Sequence, residues 1–341
     1  MVNLASVEQQ SLLAIKGLTT TINTPDGMMR VIDDVNFTIE KGEIVAVVGE
    51  SGSGKSMTIN SIMQLLPKDM LAGYEGAIEL DGKNLFNHSR RTMQNIRGKR
   101  ISLIAQNAMT SLDPSYTVGK QIVEIILNKT SKTKSQAVEL TCQLLKAMGI
   151  EQPERVFHSY PHQLSGGLRQ RVVIAMSLAC EPEILIADEP TSALDPTVQL
   201  QVLDLLLQIN KTLGTAILMV THDFGVVAHI AQKVVVMYAG QVVEKGYTRD
   251  IIERPQHPYT KSLLKCIPNL EWIFKDGEEK HPLWQIDGEP PNLLDFQSGC
   301  RFANRCPYAQ NDCFSTGQKL ISLSEEGHEA RCMYAIGGGQ A

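Results

Sequence analysis

The sequence lacks the features that would place it across a membrane, in a secretory pathway or on a nucleic acid. No apolar run approaches the roughly 20 residues that a membrane-spanning helix needs. Residues 1–10 contain no basic residue and no apolar core, so we expect no signal peptide. The formal net charge of −5 is the opposite of the basic excess of a general nucleic-acid binder, so no nucleic-acid partner is expected. These absences together predict a cytoplasmic protein.

Aromatic residues are also scarce, at 5% of the chain, whereas 43% of the residues are hydrophobic and 20% are charged. This balance is ordinary for a globular protein, and 341 residues can bury a large core beside a smaller region. The seven cysteines include no C-x2-C pair of the zinc-ribbon type, and disulfides are not expected in a reducing compartment.

The chain does contain a glycine-rich turn of a specific kind. Gly49-Glu50-Ser51-Gly52-Ser53-Gly54-Lys55-Ser56 fits the phosphate-binding pattern G-x-x-x-x-G-K-[ST] at every fixed position. The apolar run 44–48 predicts a buried strand before this turn, and residues 55–66 predict a helix after it. Glycines let successive backbone N–H groups surround a phosphate, and the helix N-terminus adds positive dipole. We expect Lys55 to reach the β- and γ-phosphates and the Ser56 hydroxyl to bind Mg²⁺.

Apolar strands alternate with helical segments over the first 250 residues, which predicts an α/β fold with a doubly wound parallel sheet. Residues 107–163 are more polar and helical, and we interpret them as a helical insertion. The composition changes beyond Gly246, where proline-rich breaks and closely placed cysteines follow. We therefore place a domain boundary near residue 250, between a domain at 1–250 and a C-terminal domain at 251–341.

Several polar side chains follow predicted core strands, where functional groups of such sheets gather. Asp188 and Glu189 end the apolar run 184–187, where one carboxylate can hold Mg²⁺ and the next can deprotonate an attacking water. Gln106 follows the run 101–105 and can join the magnesium shell, and His222 follows the run 215–220 and can donate to the γ-phosphate. Each residue alone is ordinary on a protein surface; the phosphate loop favours the functional interpretation.

These elements together resemble the nucleotide-binding subunit of an ATP-binding cassette (ABC) transporter, over residues 12 to about 335. The resemblance depends on the phosphate loop, Gln106, the segment Leu164-Ser165-Gly166-Gly167-Leu168-Arg169-Gln170, residues 184–189, residues 192–195 and His222. It implies a P-loop NTPase core of the ABC type, with an antiparallel β subdomain and the helical insertion at 107–163. It also implies an ATPase that uses ATP and Mg²⁺, with Met57 added to the nucleotide contacts.

The resemblance also implies how nucleotide is held between two subunits. Ser165, Gly166 and Gly167 would complete the ATP site of a second, facing cassette. The family usually stacks an aromatic ring on adenine, but residues 19–29 contain none, and Ile22 is the expected replacement. The implied partners are a second cassette subunit (a paralogue, or an identical copy), two transmembrane permease subunits and, indirectly, an extracytoplasmic solute-binding protein. These partners would hold the chain peripherally at the cytoplasmic face of the membrane.

Three further stretches resemble the peptide and nickel importer branch of the family: residues 108–119, Tyr160-Pro161-His162-Gln163 and His257-Pro258-Tyr259-Thr260. The branch usually has proline where Ala108 stands. The resemblance implies the ATP-hydrolysing motor of an importer for di- or oligopeptides, with nickel or another small solute as the alternative cargo. A soluble ABC ATPase of DNA repair or translation, and a redox sensor, are weaker alternatives.

Cys300, Cys306, Cys313 and Cys332 are spaced C-x5-C-x6-C-x18-C in the C-terminal region. Four thiolates in a loop-rich segment can form a tetrahedral metal site. Chains of the branch with a similar Gly-Cys-Arg-Phe-Ala…Arg-Cys-Pro tail can carry a [4Fe–4S] cluster, so the resemblance implies one here. Zinc and free thiols remain the alternatives.

Overall fold

The structure is a computed structural model that describes residues 11–106, 111–192, 194–267, 284–294, 296, 298–324 and 327–335. Its strands are β1 (Leu13–Thr24), β2 (Gly27–Ile39), β3 (Ile44–Val48), β4 (Leu71–Leu80), β5 (Lys83–Asn84), β6 (Ile101–Ile104), β7 (Ile184–Asp188), β8 (Ala216–Thr221), β9 (Lys233–Tyr238), β10 (Gln241–Tyr247), β11 (Ile321–Ser322) and β12 (Glu329–Ala330). Its α-helices are α1 (Lys55–Ile62), α2 (Arg90–Lys99), α3 (Val118–Lys129), α4 (Lys134–Ala147), α5 (Pro153–His158), α6 (Gly166–Leu178), α7 (Pro196–Leu213), α8 (Phe224–Ile230), α9 (Thr248–Glu253) and α10 (Pro258–Lys265). None of the helices in these ranges is both long and apolar enough to span a membrane.

The chain folds into two compact units, each built from separated segments. The first unit comprises residues 1–16, 36–44 and 76–219, and the second comprises residues 17–35, 45–75 and 220–341. We call them the carboxylate unit and the phosphate-loop unit, after the candidate residues that each one carries.

The phosphate-loop unit contains a sheet with the strand order β11–β12–β10–β9–β3. Strands β3 and β9 are parallel, and Val48 lies opposite Val236. β10 is antiparallel to β9 and β12, and β11 is antiparallel to β12. Every residue of β3 is buried, as expected for a parallel strand whose two faces are both covered.

The C-terminal residues join the core of this unit. Phe302 is 1% exposed and packs its ring against Tyr238 and Tyr259, with ring centroids 5.2 Å and 5.3 Å away. Tyr238 itself ends β9, and β12 pairs directly with β10. The separate cysteine-rich C-terminal domain expected from the sequence is therefore not supported, because this segment buries its apolar side chains in a core shared with β3 and β9. The domain boundary near residue 250 stays a prediction.

The carboxylate unit contains the parallel pair β6 and β7, with Ile104 opposite Ala187. Helices α3, α4 and α5 fall within the stretch interpreted as helical, of which residues 107–110 lie outside the described residues. The antiparallel hairpin of β4 and β5 turns at Asp81-Gly82, with Leu80 opposite Lys83.

Helix α7 begins and ends where its sequence indicates. Asp195 accepts a hydrogen bond from the Val198 N–H at 3.0 Å, and Gly214 ends the helix with a left-handed φ of 67°. The apolar stripe is buried at positions 202, 205, 206 and 209. Leu213, which continues the same stripe by spacing, is 56% exposed because it lies on the last turn.

Candidate nucleotide site

The phosphate loop, residues 49–54, adopts a backbone that only glycine permits at two positions. Gly49 has a φ of 156°, and a Cβ there would lie 2.2 Å from the Met237 carbonyl oxygen. Gly54 has a φ of 104°, and its Cβ would lie 2.9 Å from Ile32 Cδ1. Since neither carbonyl oxygen nor packed side chain can give way by more than a few tenths of an ångström, the turn keeps its shape only with glycine.

Lys55 lies beneath this loop and is only 7% exposed. Its ammonium group donates to the carbonyl oxygens of Gly49 at 2.7 Å and Glu50 at 2.9 Å. The lysine therefore crosses back under its own loop, which fixes the positive charge at the start of α1. Burial of an ammonium is costly unless it is paired, and a phosphate would be its strongest partner.

The start of α1 carries further groups that fit an anion. The Ser53 Oγ is buried and has no hydrogen-bond partner in the described part of the chain. Gly54 is the N-cap of the helix and makes no side-chain hydrogen bond to its first turn. Ser51, Gly52 and Ser56 are exposed, and Met57 is half-buried on the first turn. The start of the helix suits the binding of nucleotide phosphates, and the exposed Ser56 hydroxyl suits a ligand for Mg²⁺.

Glu50, the remaining loop residue, turns its carboxylate away from the helix start. It forms an ion pair with Arg305, at 2.8 Å between Nη1 and Oε2. Nothing in the local sequence indicates this pair, because the two residues are separated by 255 positions.

Gln106 and Glu189 come together in the carboxylate unit. The Gln106 Nε2 donates to the Glu189 Oε2 at 3.1 Å. Glu189 follows β7 with a φ of 46°, uncommon for a residue other than glycine, and its carbonyl accepts from the Ser192 N–H and Oγ. Asp188 is the last residue of β7 and is half-buried. The two carboxylates and the amide thus stand at the carboxyl ends of neighbouring strands, as expected from the sequence.

His222 and Ile22 differ in exposure. His222 is exposed directly after β8, and the next residue, Asp223, caps α8 by accepting from the Gly225 N–H at 2.7 Å. Ile22, the expected contact for adenine, is only 5% exposed. Its contact with adenine stays a prediction.

The segment 165–167 opens α6, and its two glycines have different surroundings. Ser165 caps the helix by accepting from the Leu168 N–H at 3.4 Å, and both Ser165 and Gly166 are exposed. A Cβ on Gly166 would meet only Leu194 Cδ2, at 3.9 Å. A Cβ on Gly167 would lie 2.9 Å from Val198 Cγ1 of α7. Gly167 is therefore needed for packing within its own unit, whereas Gly166 leaves open space in front of the helix.

The cysteines at 300, 306, 313 and 332 lie near one another without forming a metal centre. The pKa of the Cys300 thiol is raised to about 11, chiefly by burial and to a smaller extent by the neighbouring thiols of Cys332, Cys306 and Cys313. Yet no three His, Cys, Asp or Glu side chains of the described residues group closely enough to hold a metal ion. The four-cysteine metal site expected from the sequence is thus not supported by the side-chain geometry.

Backbone donors nevertheless point at three of these sulfurs. The N–H groups of Phe302, Tyr308 and Tyr334 donate to the thiols two residues before them and lower their pKa values, against the larger effect of burial. The fourth thiol, that of Cys313, accepts from the Gln310 N–H at 3.5 Å. Such bonds favour the charged form of a thiol.

Two segments of the chain match known families. Residues 32–192 match the family described as ABC transporter, and residues 243–313 match the C-terminal region of oligopeptide/dipeptide transporters. The oligopeptide transport ATP-binding protein OppD of Bacillus subtilis (strain 168) is 46% identical over 316 residues, which cover 92% of this chain and 86% of that protein. The probable peptide ABC transporter ATP-binding protein y4tR of Sinorhizobium fredii is 43% identical over 323 residues, which cover 94% of each chain.

A solved structure shares the fold. A dimeric ATP-binding cassette in a post-hydrolysis state, bound to ADP and Pi, superposes with a TM-score of 0.62 at 29% identity. The superposition covers 70% of this chain and 99% of that one. The ABC-type α/β cassette fold expected from the sequence is therefore confirmed.

We expect Gly49→Ala to weaken ATP binding by about tenfold or more, because its Cβ would displace the loop from the Met237 carbonyl and cost at least one charged hydrogen bond. Titration with a fluorescent ATP analogue measures this loss. Gly73→Ala is the matched control, since its Cβ would meet nothing within 4 Å. Wild-type affinity in the folded Gly49→Ala variant would contradict the requirement for glycine.

Proposed function

The chain belongs to the ATP-binding proteins of the ABC transporter family, and from this premise we propose that it is the ATP-hydrolysing motor of a di- or oligopeptide importer. The observation that carries the cargo class is the identity of 46% to an oligopeptide transport ATP-binding protein over 92% of this chain. The match of residues 243–313 to the C-terminal region of oligopeptide/dipeptide transporters supports the same class. Nickel or another small solute is the alternative cargo.

The mechanism assigns separate tasks to the two groups of candidate residues. The phosphate loop binds the nucleotide phosphates through its N–H groups and Lys55. Ser56, Asp188 and Gln106 would supply the oxygen ligands that Mg²⁺ prefers, and the ion would neutralise phosphate charge. Glu189 orients a water and takes its proton, and His222 donates to the γ-phosphate.

The contact between Gln106 and Glu189 supports this assignment of the base. A hydrogen bond from the amide restrains the carboxylate, which also sits on a constrained backbone with positive φ. A base that takes a proton from the attacking water must be held in one orientation. The hydrogen bond from Gln106 and the constrained backbone both restrain the carboxylate in this way.

We expect Glu189→Gln to bind ATP as the wild type does and to lose ATP hydrolysis by at least about 100-fold, as is typical when a general base is removed. Nucleotide binding persists because the substitution keeps the size of the side chain and leaves the phosphate loop untouched. Binding is measured by titration, and turnover by phosphate release.

The same variant tests the cargo in cells that lack the native gene. Cells that carry the wild-type chain should accumulate a labelled tripeptide, and cells that carry Glu189→Gln should not. Nickel uptake in parallel separates the two cargo classes. Hydrolysis by Glu189→Gln at the wild-type rate would overturn the base assignment, and tripeptide uptake independent of the chain would overturn the importer assignment.

We further propose that the chain acts within a pair of cassettes at the membrane. Ser165, Gly166 and Gly167 contact ATP held by the facing cassette, which is a paralogue or an identical copy. Two transmembrane permease subunits hold the pair at the cytoplasmic face, and a solute-binding protein delivers the peptide. The exposed, uncrowded face of Ser165 and Gly166 supports this role, since these groups are accessible to a partner.

We expect Gly166→Trp to leave ATP binding to the single subunit within about twofold and to lower turnover at least about tenfold, equivalent to 1.4 kcal/mol. A Cβ at this position has space within its own subunit, and the ring beyond it would occupy the position proposed for the partner's ATP. Lys134→Trp, at the first position of another exposed helix start in the same unit, is the matched control.

Substitution at Gly167 is a poorer test, because its Cβ would clash with Val198 inside the subunit. ATP-induced dimerisation is measured by light scattering alongside affinity. If Gly166→Trp lost ATP binding as a single subunit, the role in a facing site would be wrong.

We propose a [4Fe–4S] cluster on Cys300, Cys306, Cys313 and Cys332, with zinc as the alternative. The proposal is supported by the shared neighbourhood of the four thiols and by the backbone N–H groups directed at their sulfurs. Because the thiols do not converge on one point, they would have to close around the metal when it binds.

We expect protein prepared without oxygen to contain about four irons and about four labile sulfides per chain. Cys306→Ser should lower both contents, whereas Cys142→Ser, outside the group, should not. Stoichiometric zinc in this preparation would show that the four cysteines form a zinc site and not an iron–sulfur cluster. Four reactive thiols in the folded, metal-free protein would contradict both.

A further inference from the structure

Glu50 of the phosphate loop is held by groups from the C-terminal half of its unit. Its two carboxylate oxygens accept from the Arg305 Nη1 and Nη2 at 2.8 Å and 3.1 Å. Its N–H donates to the Tyr259 hydroxyl at 2.9 Å. Its carbonyl accepts from Lys55 Nζ at 2.9 Å and from the Ser53 N–H at 3.2 Å. Every polar group of this loop residue is therefore engaged.

Arg305 is built into the protein as a bridge. Its side chain is 5% exposed, although it carries a full charge. Besides the two bonds to Glu50, its Nε donates to the Asp287 carbonyl at 3.0 Å, Nη2 to the Ile286 carbonyl at 3.2 Å, and Nη1 to the Tyr238 hydroxyl at 3.3 Å. All five N–H donors of the guanidinium thus have an acceptor, a set that no other side chain can reproduce.

A second arginine supports the other end of the loop. Arg301 Nη1 donates to the Ala239 carbonyl, and its Nη2 pairs with Asp33 at 2.7 Å. The next residue, Gly240, donates its N–H to the Ser53 carbonyl at 2.8 Å. The segment 301–305 therefore braces both the beginning and the end of the phosphate loop, and buried Phe302 seats it on the core.

The loop gains pre-organisation from these contacts. A bidentate arginine–carboxylate pair fixes both distance and orientation, and its burial protects it from screening by salt. With Glu50 released, its carbonyl would no longer be held toward Lys55, and the loop would have to be ordered by the nucleotide. Ordering a loop on binding lowers affinity without changing the chemical step.

We infer that Arg305 is a positioning residue for nucleotide binding, which acts through Glu50 to hold the phosphate loop in its binding conformation. The inference rests on the proposed function, since it concerns the affinity of the same site for ATP. The C-terminal segment thereby sets the nucleotide affinity of the cassette, although it carries none of the proposed nucleotide-binding residues.

The test compares Arg305→Lys and Glu50→Gln with the full-length wild type. Lysine keeps the charge but loses the planar fork, and glutamine keeps the shape of Glu50 but loses its charge. Each variant should raise the Kd for ATP about tenfold, the effect of losing one charged hydrogen bond. For Arg305→Lys the KM should rise by a similar factor while kcat at saturating ATP stays within about twofold. The double variant should bind ATP about as tightly as the weaker-binding single variant, because both substitutions break the same ion pair.

Arg331→Gln is the matched control for general weakening of the C-terminal segment. Arg331 is also buried, also precedes a cysteine, and pairs with Asp34 at 3.0 Å, but it bonds no phosphate-loop residue. The Arg331→Gln variant should lower the midpoint of unfolding and leave the Kd for ATP unchanged.

The outcomes separate this inference from the proposed function. An unchanged Kd in folded Arg305→Lys, or an equal rise of Kd in Arg331→Gln, would overturn the positioning role. A wild-type chain that binds ATP but never hydrolyses it, even with its partners, would instead overturn the motor function and leave the affinity comparison readable.

Discussion

The close approach of the phosphate loop to the end of β9 is the constraint on which the phosphate-loop unit depends. Four consecutive residues, Met237 to Gly240, each meet the loop or an arginine that braces it. The Met237 carbonyl occupies the space of a side chain on Gly49, the Tyr238 hydroxyl and Ala239 carbonyl accept from Arg305 and Arg301, and the Gly240 N–H bonds Ser53. A strand end thus forms one wall of the nucleotide cradle, because a rigid sheet edge can hold a loop in a conformation that the loop alone would not keep.

The C-terminal region serves this same constraint. Phe302 of this region packs with Tyr238 and Tyr259 in one aromatic cluster. The cluster fixes the backbone from which Arg301 and Arg305 extend toward the loop and the end of β9. A segment with so little regular structure could not hold two buried guanidinium groups by itself. It does so here because its apolar contacts with the sheet core offset the conformational entropy that the segment loses when it is ordered. This arrangement explains why a region that carries none of the proposed nucleotide-binding residues is nonetheless integral to the unit.

Two neighbouring glycines show how similar sequence signals arise from different causes. Gly167 is required because Val198 of α7 packs against the start of α6, a matter of the subunit's own stability. Gly166 has no such neighbour and leaves an accessible surface, which suits contact with another molecule. The two glycines belong to one motif along the chain, and only the packing shows that Gly167 is in addition required for contacts within its own unit.

The resemblance carried by its motifs implied the cassette fold, and the sequence by itself determined the phosphate loop and the strand ends that carry Gln106, Asp188 and Glu189. Those features follow from local rules: a glycine pattern that only one backbone satisfies, and buried strands that deliver polar residues to one edge. Tertiary structure alone decided that Glu50 pairs with Arg305, that the C-terminal segment shares the core of the loop's unit, and that Leu213 is exposed. It also left the four cysteines adjacent without forming a metal group. The physical reason is sequence separation: ion pairs and core contacts between residues up to 255 positions apart depend on the folded path of the chain, which no local periodicity encodes.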